Sequence, residues 1–562
     1  MTTALAAADH YDVTVERGVT MKTRDGVTLR ADIYRPKIDG KFPVLLERTP
    51  YNKGDGESAF GNRAAALGYV VVVQDVRGRY TSEGEWYPFK YESNDGYDTI
   101  EWAASLAYAN GKVGMFGASY VGATQMLAAI GKPPHLAGVF PIVTASNYHD
   151  GWTYQGGAFE QWFNESWTSG LVQDTVDRRM RASSNALQWI WQLPLTKYPF
   201  VDVPTPASLA GYFTDWAQHP DFDDYWKQWS VEDHYANFSV PAYSVGGWYD
   251  IFQGGTIRNY VGLKSRVRGQ RLMIGPWYHG PFDGKAGELD FGAAAKGDTD
   301  TETLRWYDHL LRGIDNGVDR EQPVKIYVMG KNVWRSEDDW PLARARTTRY
   351  YLHSGGSANT SGGDGKLSIS APENEPVDRY TYDPANPAPT RGGGLCCDND
   401  HLPSGAFDQR PVEERNDVLV YTTPAFSEDF EVTGPIAIEL YTSSSAVDTD
   451  FTAKLVDVWP NGFAQNLTDG ILRARYRNSH ARPAPMKTGE VYKIRIDLWN
   501  TSNVFLAGHK LRVDVSSSNF PRFDRNLNTG ENAGMSSNLV KAANTIYHDA
   551  QHPSALVLPV VP

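Results

Sequence analysis

Hydrophobic positions in the first 145 residues fall in short runs separated by longer amphipathic stretches. Val44, Leu45 and Leu46 follow Pro43; Tyr69 and four valines, Val70, Val71, Val72 and Val73, follow Gly68; Val113, Met115 and Phe116 follow Asn110 and Gly111. Short β-branched runs opened by turn residues predict buried strands, and helical patterns between them, as at residues 98–107, predict a parallel sheet covered on both faces. The texture changes near Tyr148. Residues 150–232 carry Trp152, Trp162, Trp167, Trp189, Trp191, Trp216, Trp226 and Trp229 amid charged residues and no strand runs, which predicts a helical insertion. Strand patterns return at residues 242–245 and 271–274, and a helix over 301–311 would put Leu304, Tyr307 and Leu311 on one face. Beyond residue 345, Gly/Ser-rich 354–365 and Pro/Gly-rich 384–394 lead into alternating strands at 418–421, 436–441, 451–458, 492–498 and 511–515. That pattern is the signature of a β-sandwich or jelly roll. The expected architecture is an α/β core in two parts (1–147 and 233–346), a helical insertion (148–232) and an all-β domain (347–562).

Composition narrows the function. The chain has 562 residues, 22% charged and 41% hydrophobic, which excludes a disordered polymer. Its net charge of −13 disfavours nucleic acid as a partner. No apolar run reaches the length of a membrane span, and the N-terminal stretch lacks the basic residue of a secretory signal. The two cysteines, Cys396 and Cys397, are adjacent, too close for a relaxed disulfide, so a chain that does not rely on disulfides and a cytoplasmic location are expected. Aromatics are abundant, with 17 Trp, 31 Tyr and 22 Phe, enough to line pockets as well as fill cores.

The sharpest chemical signal is Gly117-Ala118-Ser119-Tyr120-Val121-Gly122. A strand ends before it and a helix of small residues, 121–130, follows. Strand, sharp turn and helix form the context of a nucleophile elbow, although the glycine falls one place later than in G-x-S-x-G. A Gly–Ser turn without chemistry is the competing reading. In a hydrolase of this class the acid and then the base follow, each beyond a strand. Residues 242–245 lead to Asp250, and 271–274 lead to His279. The oxyanion donors would be the Tyr120 backbone N–H and a group from the loop 48–53. That loop has no glycine run, and the Tyr51 hydroxyl could serve; a tyrosine packed at the loop start fits the residues equally well.

These motifs, with Arg48-Thr49-Pro50-Tyr51, Gln74-Asp75-Val76-Arg77-Gly78, Gly114-Met115-Phe116-Gly117-Ala118-Ser119-Tyr120, Gly247-Trp248-Tyr249-Asp250, Gly275-Pro276-Trp277-Tyr278-His279 and residues 444–458 and 516–521, resemble the bacterial cocaine esterase family. Xaa-Pro dipeptidyl-peptidases and α-amino-acid ester hydrolases belong to the same larger group. The G-x-S-Y-x-G form is that family's own. The resemblance implies an α/β-hydrolase core, a helical cap and a C-terminal jelly roll. It implies a triad of Ser119, Asp250 and His279, oxyanion donors Tyr51 and Tyr120, and an aromatic acyl pocket at Trp152, Trp167 and Phe252. A loop bearing Leu395, Cys396 and Cys397 would reach the pocket, with Cys397 where the family has a bulky aromatic. A homodimer is also suggested.

The activity expected is therefore hydrolysis of carboxylic esters with hydrophobic or aromatic acyl groups, without metal or organic cofactor. A peptidase or amino-acid ester hydrolase would need carboxylates to hold an ammonium, for which Glu160 and Glu165 are candidates. A jelly-roll sugar-binding protein with a relict hydrolase core is the non-enzymatic alternative. Cys396, Cys397, Asp398 and His401 have a spacing that fits no standard zinc pattern.

Overall fold

The computed structural model describes residues 10–54, 56, 58–183 and 209–562. Trp189 and Trp191 of the insertion lie outside these residues. The strands of the first two-thirds are β1 (Val13–Lys22), β2 (Thr28–Pro36), β3 (Phe42–Thr49), β4 (Val70–Asp75), β5 (Ala109–Ala118), β6 (Leu136–Ile142), two short hairpins β7 (Tyr154–Gln155)/β8 (Ala158–Phe159) and β11 (Lys285–Ala286)/β12 (Leu289–Asp290), and β9 (Tyr243–Tyr249), β10 (Arg271–Tyr278), β13 (Val324–Val328) and β14 (Val333–Glu337). Ten of them form one sheet in the order β1-β2-β4-β3-β5-β6-β9-β10-β13-β14. From β4 through β13 every neighbouring pair is parallel. The pairs β1–β2, β2–β4 and β13–β14 are antiparallel. All residues of β4 and β9 are buried, as expected of strands covered on both faces. The N-terminal β1–β2 hairpin and β6 were not anticipated from the sequence. The residues of β1 mix polarity, so no apolar run marks it; β6 is an apolar run interrupted by Gly138 and Pro141.

Helices α1 (Ala59–Ala66), α2 (Glu92–Ser105) and α3 (Tyr120–Ile130) flank the sheet. Ten of the residues of α3, from Tyr120 to Ala129, are buried, because it packs between the sheet and α2; its small side chains permit that approach. The later helix runs Thr299–Arg312 and buries Leu304, Tyr307 and Leu311. Asp298 caps its N-terminus by accepting from the Thr301 N–H, and Gly313 ends it at φ 70°. Tyr307 reaches β5, where a Cβ on Gly114 would lie 2.2 Å from its ring. Its hydroxyl donates to the Met115 carbonyl, so this helix fixes the strand that leads to Ser119.

The insertion is helical where described: α4 (Gln161–Ser183), then Gly211–Gln218 and Asp224–Lys227. Eleven strands from Arg346 onward form a second sheet, antiparallel except for one pair. The longest are Phe430–Ser444 and Tyr492–Phe505. This sheet and the loop bearing Leu395 hold the acid end of β9. The Tyr249 hydroxyl donates to the Asn466 carbonyl, the Gln253 side chain accepts from Asn500 N–H at 3.2 Å, and Leu395 pairs in parallel with Asp250. Among the described residues no helix is long and apolar enough to cross a membrane.

Candidate active site

Ser119 stands between β5 and α3 at φ 61° and ψ −125°, a conformation that side-chain-bearing residues rarely adopt. Neighbouring glycines make the turn possible. A Cβ on Gly117 would lie 2.3 Å from Val121 Cγ1, and one on Gly122 would lie 2.7 Å from Thr144 Cβ. Val121 in the fifth place is thus accommodated by Gly117, and the displaced Gly122 lets α3 meet the residues after β6. The Ser119 N–H is spent on the Ile142 carbonyl at 2.9 Å.

Asp250 follows β9, and His279 follows β10, on the same sheet edge as Ser119. His279 Nε2 lies 3.0 Å from Ser119 Oγ, and Nδ1 lies 2.7 Å from Asp250 Oδ1. With the proton on Nδ1, the ring donates to Asp250 and accepts from the Ser119 hydroxyl. The Asp250 side chain is fully buried, and its second oxygen accepts from the Phe252 N–H at 3.1 Å. Asp283 and Asp290, other acids near His279, are exposed and cap turns instead.

Tyr51 lies at the end of β3, beside the triad. Trp167 Nε1 donates to its phenol oxygen at 3.0 Å. Packing raises the Tyr51 pKa above its ordinary value, and hydrogen bonds with Trp167, Ser119 and the Tyr120 backbone, with the nearby Arg79 charge, pull it partly back. The residue as a whole nonetheless keeps 38% of its surface exposed. The loop is shaped from β4: Asp75 accepts from the Lys53 N–H at 2.8 Å. Beneath the elbow, Arg48 bonds Gln74 at 2.9 Å and Glu92 at 2.7 Å, and Glu92 accepts from the Tyr120 hydroxyl at 3.0 Å. Burial raises the Glu92 pKa against the pull of Arg48. The Arg48-Thr49-Pro50-Tyr51 and Gln74-Asp75 motifs therefore meet at one place.

A cavity of about 320 Å³ opens over Ser119, lined by Tyr51, Ser166, Trp167, Gly170, Leu171, His279 and Cys397. Three side chains expected on its wall are one layer back. Trp152 and Phe252 stack at 4.4 Å between ring centroids and are fully buried, and Cys396 is buried with them. Trp152 backs Trp167 edge-on at 5.7 Å, and Phe252 backs His279 at 5.2 Å. Trp167 fills the space in front, which a residue count along the insertion could not foresee.

The reading of the adjacent cysteines as too close to pair is corrected. Cys396 and Cys397 are bonded to each other. The backbone accommodates the closure with Cys397 at φ 83°, and the argument for a cytoplasmic location from absent disulfides loses its premise. Asp398 bonds to His401 Nδ1 at 2.9 Å, so this quartet is a disulfide and a hydrogen-bonded pair. Glu160 does not reach the cavity wall: it is buried beside Arg522, 3.7 Å away. Glu165 is exposed and accepts from Gln161 at 2.9 Å.

One residue escaped the sequence reading. Arg79 is fully buried; its Nε donates to the Pro50 carbonyl at 2.9 Å and Nη1 to the Leu171 carbonyl at 3.0 Å. It thereby ties the Tyr51 loop to the helix that carries Trp167. A cation just after the buried run of β4 was the available signal.

The chain matches two family models: X-Pro dipeptidyl-peptidase (S15 family) over residues 25–281, and X-Pro dipeptidyl-peptidase C-terminal non-catalytic domain over residues 316–557. It is 39% identical to a cocaine esterase of Rhodococcus sp. (strain MB1 Bresler), over 97% of this chain and 98% of that protein. Among solved structures, an aminopeptidase from the marine sediment archaeon Thaumarchaeota archaeon superimposes with a TM-score of 0.82 at 27% identity, over 100% of this chain and 98% of the other. An α-amino acid ester hydrolase superimposes with a TM-score of 0.80 at 26% identity, with the same coverage.

Proposed function

The chain belongs to the cocaine esterase family within the S15 group, and from that premise we propose that Ser119, His279 and Asp250 are the working parts of a serine hydrolase that cleaves carboxylic esters through an acyl-enzyme. The observation that carries the assignment is the continuous chain of contacts from Ser119 Oγ through both nitrogens of His279 to buried Asp250, at the floor of an open cavity. In this reading the core is an α/β-hydrolase domain, 148–232 its cap, and 347–562 a jelly roll that braces the acid.

His279 Nε2 takes the hydroxyl proton as Ser119 Oγ attacks the ester carbonyl, and Asp250 stabilises the imidazolium and holds its tautomer. The Tyr51 O–H and Tyr120 N–H receive the developing oxyanion. His279 returns the proton to the departing alcohol. Water then repeats the sequence on the acyl-enzyme and releases the acid. Trp167, Leu171 and the sulfur of Cys397 give the cavity an apolar wall, which favours hydrophobic or aryl acyl groups.

An amino-terminal recognition role is not favoured, because no carboxylate lines the cavity among the described residues. A hydrolysis panel that varies acyl and alcohol parts separately tests the proposal, with paired free-amino and N-blocked substrates. Faster turnover of aryl acyl esters, with no gain from a free amine, is expected. A strict requirement for the free amine contradicts the reading.

A further inference from the structure

The chain's only two cysteines form a disulfide between adjacent residues, one sulfur in the core and one at the active-site cavity. A bond that encloses a single peptide unit removes almost no loop entropy from the unfolded chain, so it is a poor staple. Its consequence is local. Cys396 is 1% exposed and packs in the same apolar cluster as Trp152, Trp167 and Phe252. Cys397 is exposed and lines the cavity with Ser119 and His279. The bond ties Cys397, held at φ 83°, to that buried anchor.

The base of the loop is fixed independently. Leu395 pairs with the backbone of Asp250, its carbonyl accepts from Ser404 Oγ at 2.9 Å, and Gly393 pairs with Gly405. A change at the sulfurs can therefore move the cavity wall while Asp250 keeps its support.

We propose that the Cys396–Cys397 disulfide is a redox-modifiable wall of the ester cavity, opened by an external dithiol, that sets the acceptance of bulky acyl groups. The inference rests on the ester hydrolase reading above. A reductant thiolate attacks the exposed Cys397 Sγ, and Cys396 Sγ leaves and takes up a proton. The second reductant thiol then attacks the mixed disulfide, Cys397 leaves as a thiol, and the reductant departs as a cyclic disulfide. Two electrons and two protons pass to the protein. With the ring open, Cys397 is free to leave its positive φ and rotate, and the part of the cavity wall it forms loses its fixed shape.

The test compares the full-length enzyme before and after treatment with dithiothreitol, with intact mass reporting the gain of two hydrogens. KM for a benzoate ester should change about fivefold or more, equivalent to about 1 kcal/mol, while KM for the matching acetate ester moves less than about twofold. Removal of dithiothreitol and reoxidation should reverse both. A Cys396→Ala/Cys397→Ala variant should not respond to dithiothreitol. Fluorophosphonate labelling of Ser119 should be equal in both redox states. An unchanged benzoate KM after verified reduction, with labelling intact, overturns the redox proposal alone. Two thiols that never close on oxidation overturn it as well. Loss of labelling only after reduction shows that the loop acts on the triad rather than the wall, which also overturns it. Absence of labelling in the oxidised enzyme removes the hydrolase reading beneath it.

Discussion

The indole N–H of Trp167 donates to the phenol oxygen of Tyr51 across 3.0 Å, linking a helix of the insertion to the loop after β3. Tyr51 has one proton to give. With its oxygen already accepting from Trp167, that proton is free to point at a substrate oxyanion. Tyr51→Phe removes the O–H and keeps the ring. It should lower kcat about 10²–10³-fold, or about 2.7–4 kcal/mol, with little change in KM. Steady-state kinetics with an aryl ester measures this; a variant within a few-fold of wild type would assign the second donor to a backbone amide of the 48–53 loop.

Trp167→Phe should act through the same oxygen. A hydrogen bond of this kind contributes about 0.5–1.5 kcal/mol, so kcat should fall about 2- to 12-fold. In the Tyr51→Phe background the same substitution should cost kcat almost nothing, since its acceptor is gone. Additive losses in that double-mutant cycle would mean Trp167 acts by packing alone.

Asp250→Asn keeps the shape of the acid and loses its charge. His279 would then be held in the wrong tautomer, and kcat should drop by about 10⁴ with substrate binding nearly intact. Retention of most activity would show that another group orients His279.

Much of this site could be read along the chain, because its parts sit at strand ends. Ser119 lies in a strained turn that demands small neighbours, and Asp250 and His279 follow two largely buried strands; each leaves a local trace in the sequence. What escaped reading depends on three-dimensional layering. Trp152 and Trp167 are both tryptophans of the insertion, yet only the second faces the cavity, because the first is stacked on Phe252. Glu160 looked available for a ligand and instead lies against Arg522 of the distant all-β region. The bond between Cys396 and Cys397 required a positive φ at Cys397 that spacing alone does not announce. In the fold, β1 and β2 went unread because their pairing, rather than an apolar run, makes them strands.

Glu160 also predicts a pH effect on stability. It is 1% exposed, neither carboxylate oxygen has a hydrogen-bond partner, and burial pushes its pKa up to about 8. The unfolded chain releases this proton near ~4.3. Between those values the native state holds a proton the unfolded state has lost, so stability falls as pH rises and this contribution is gone above about 8. Glu160→Gln cannot titrate. Its melting temperature should exceed that of wild type at alkaline pH by more than it does near pH ~5, where both side chains are neutral. Parallel pH dependence in the two proteins would contradict a Glu160 carboxyl that burial keeps protonated against the pull of Arg522.

The central claim is that Ser119 carries the acyl group. Acid quenching during turnover of an aryl ester, followed by peptide mass spectrometry, locates that group directly. The expected adduct is the substrate's acyl mass on the peptide containing Ser119. It should be absent from Ser119→Ala, whose kcat should be lower by about 10⁶. An adduct on another residue, or steady turnover by Ser119→Ala with an unchanged substrate profile, would contradict the account.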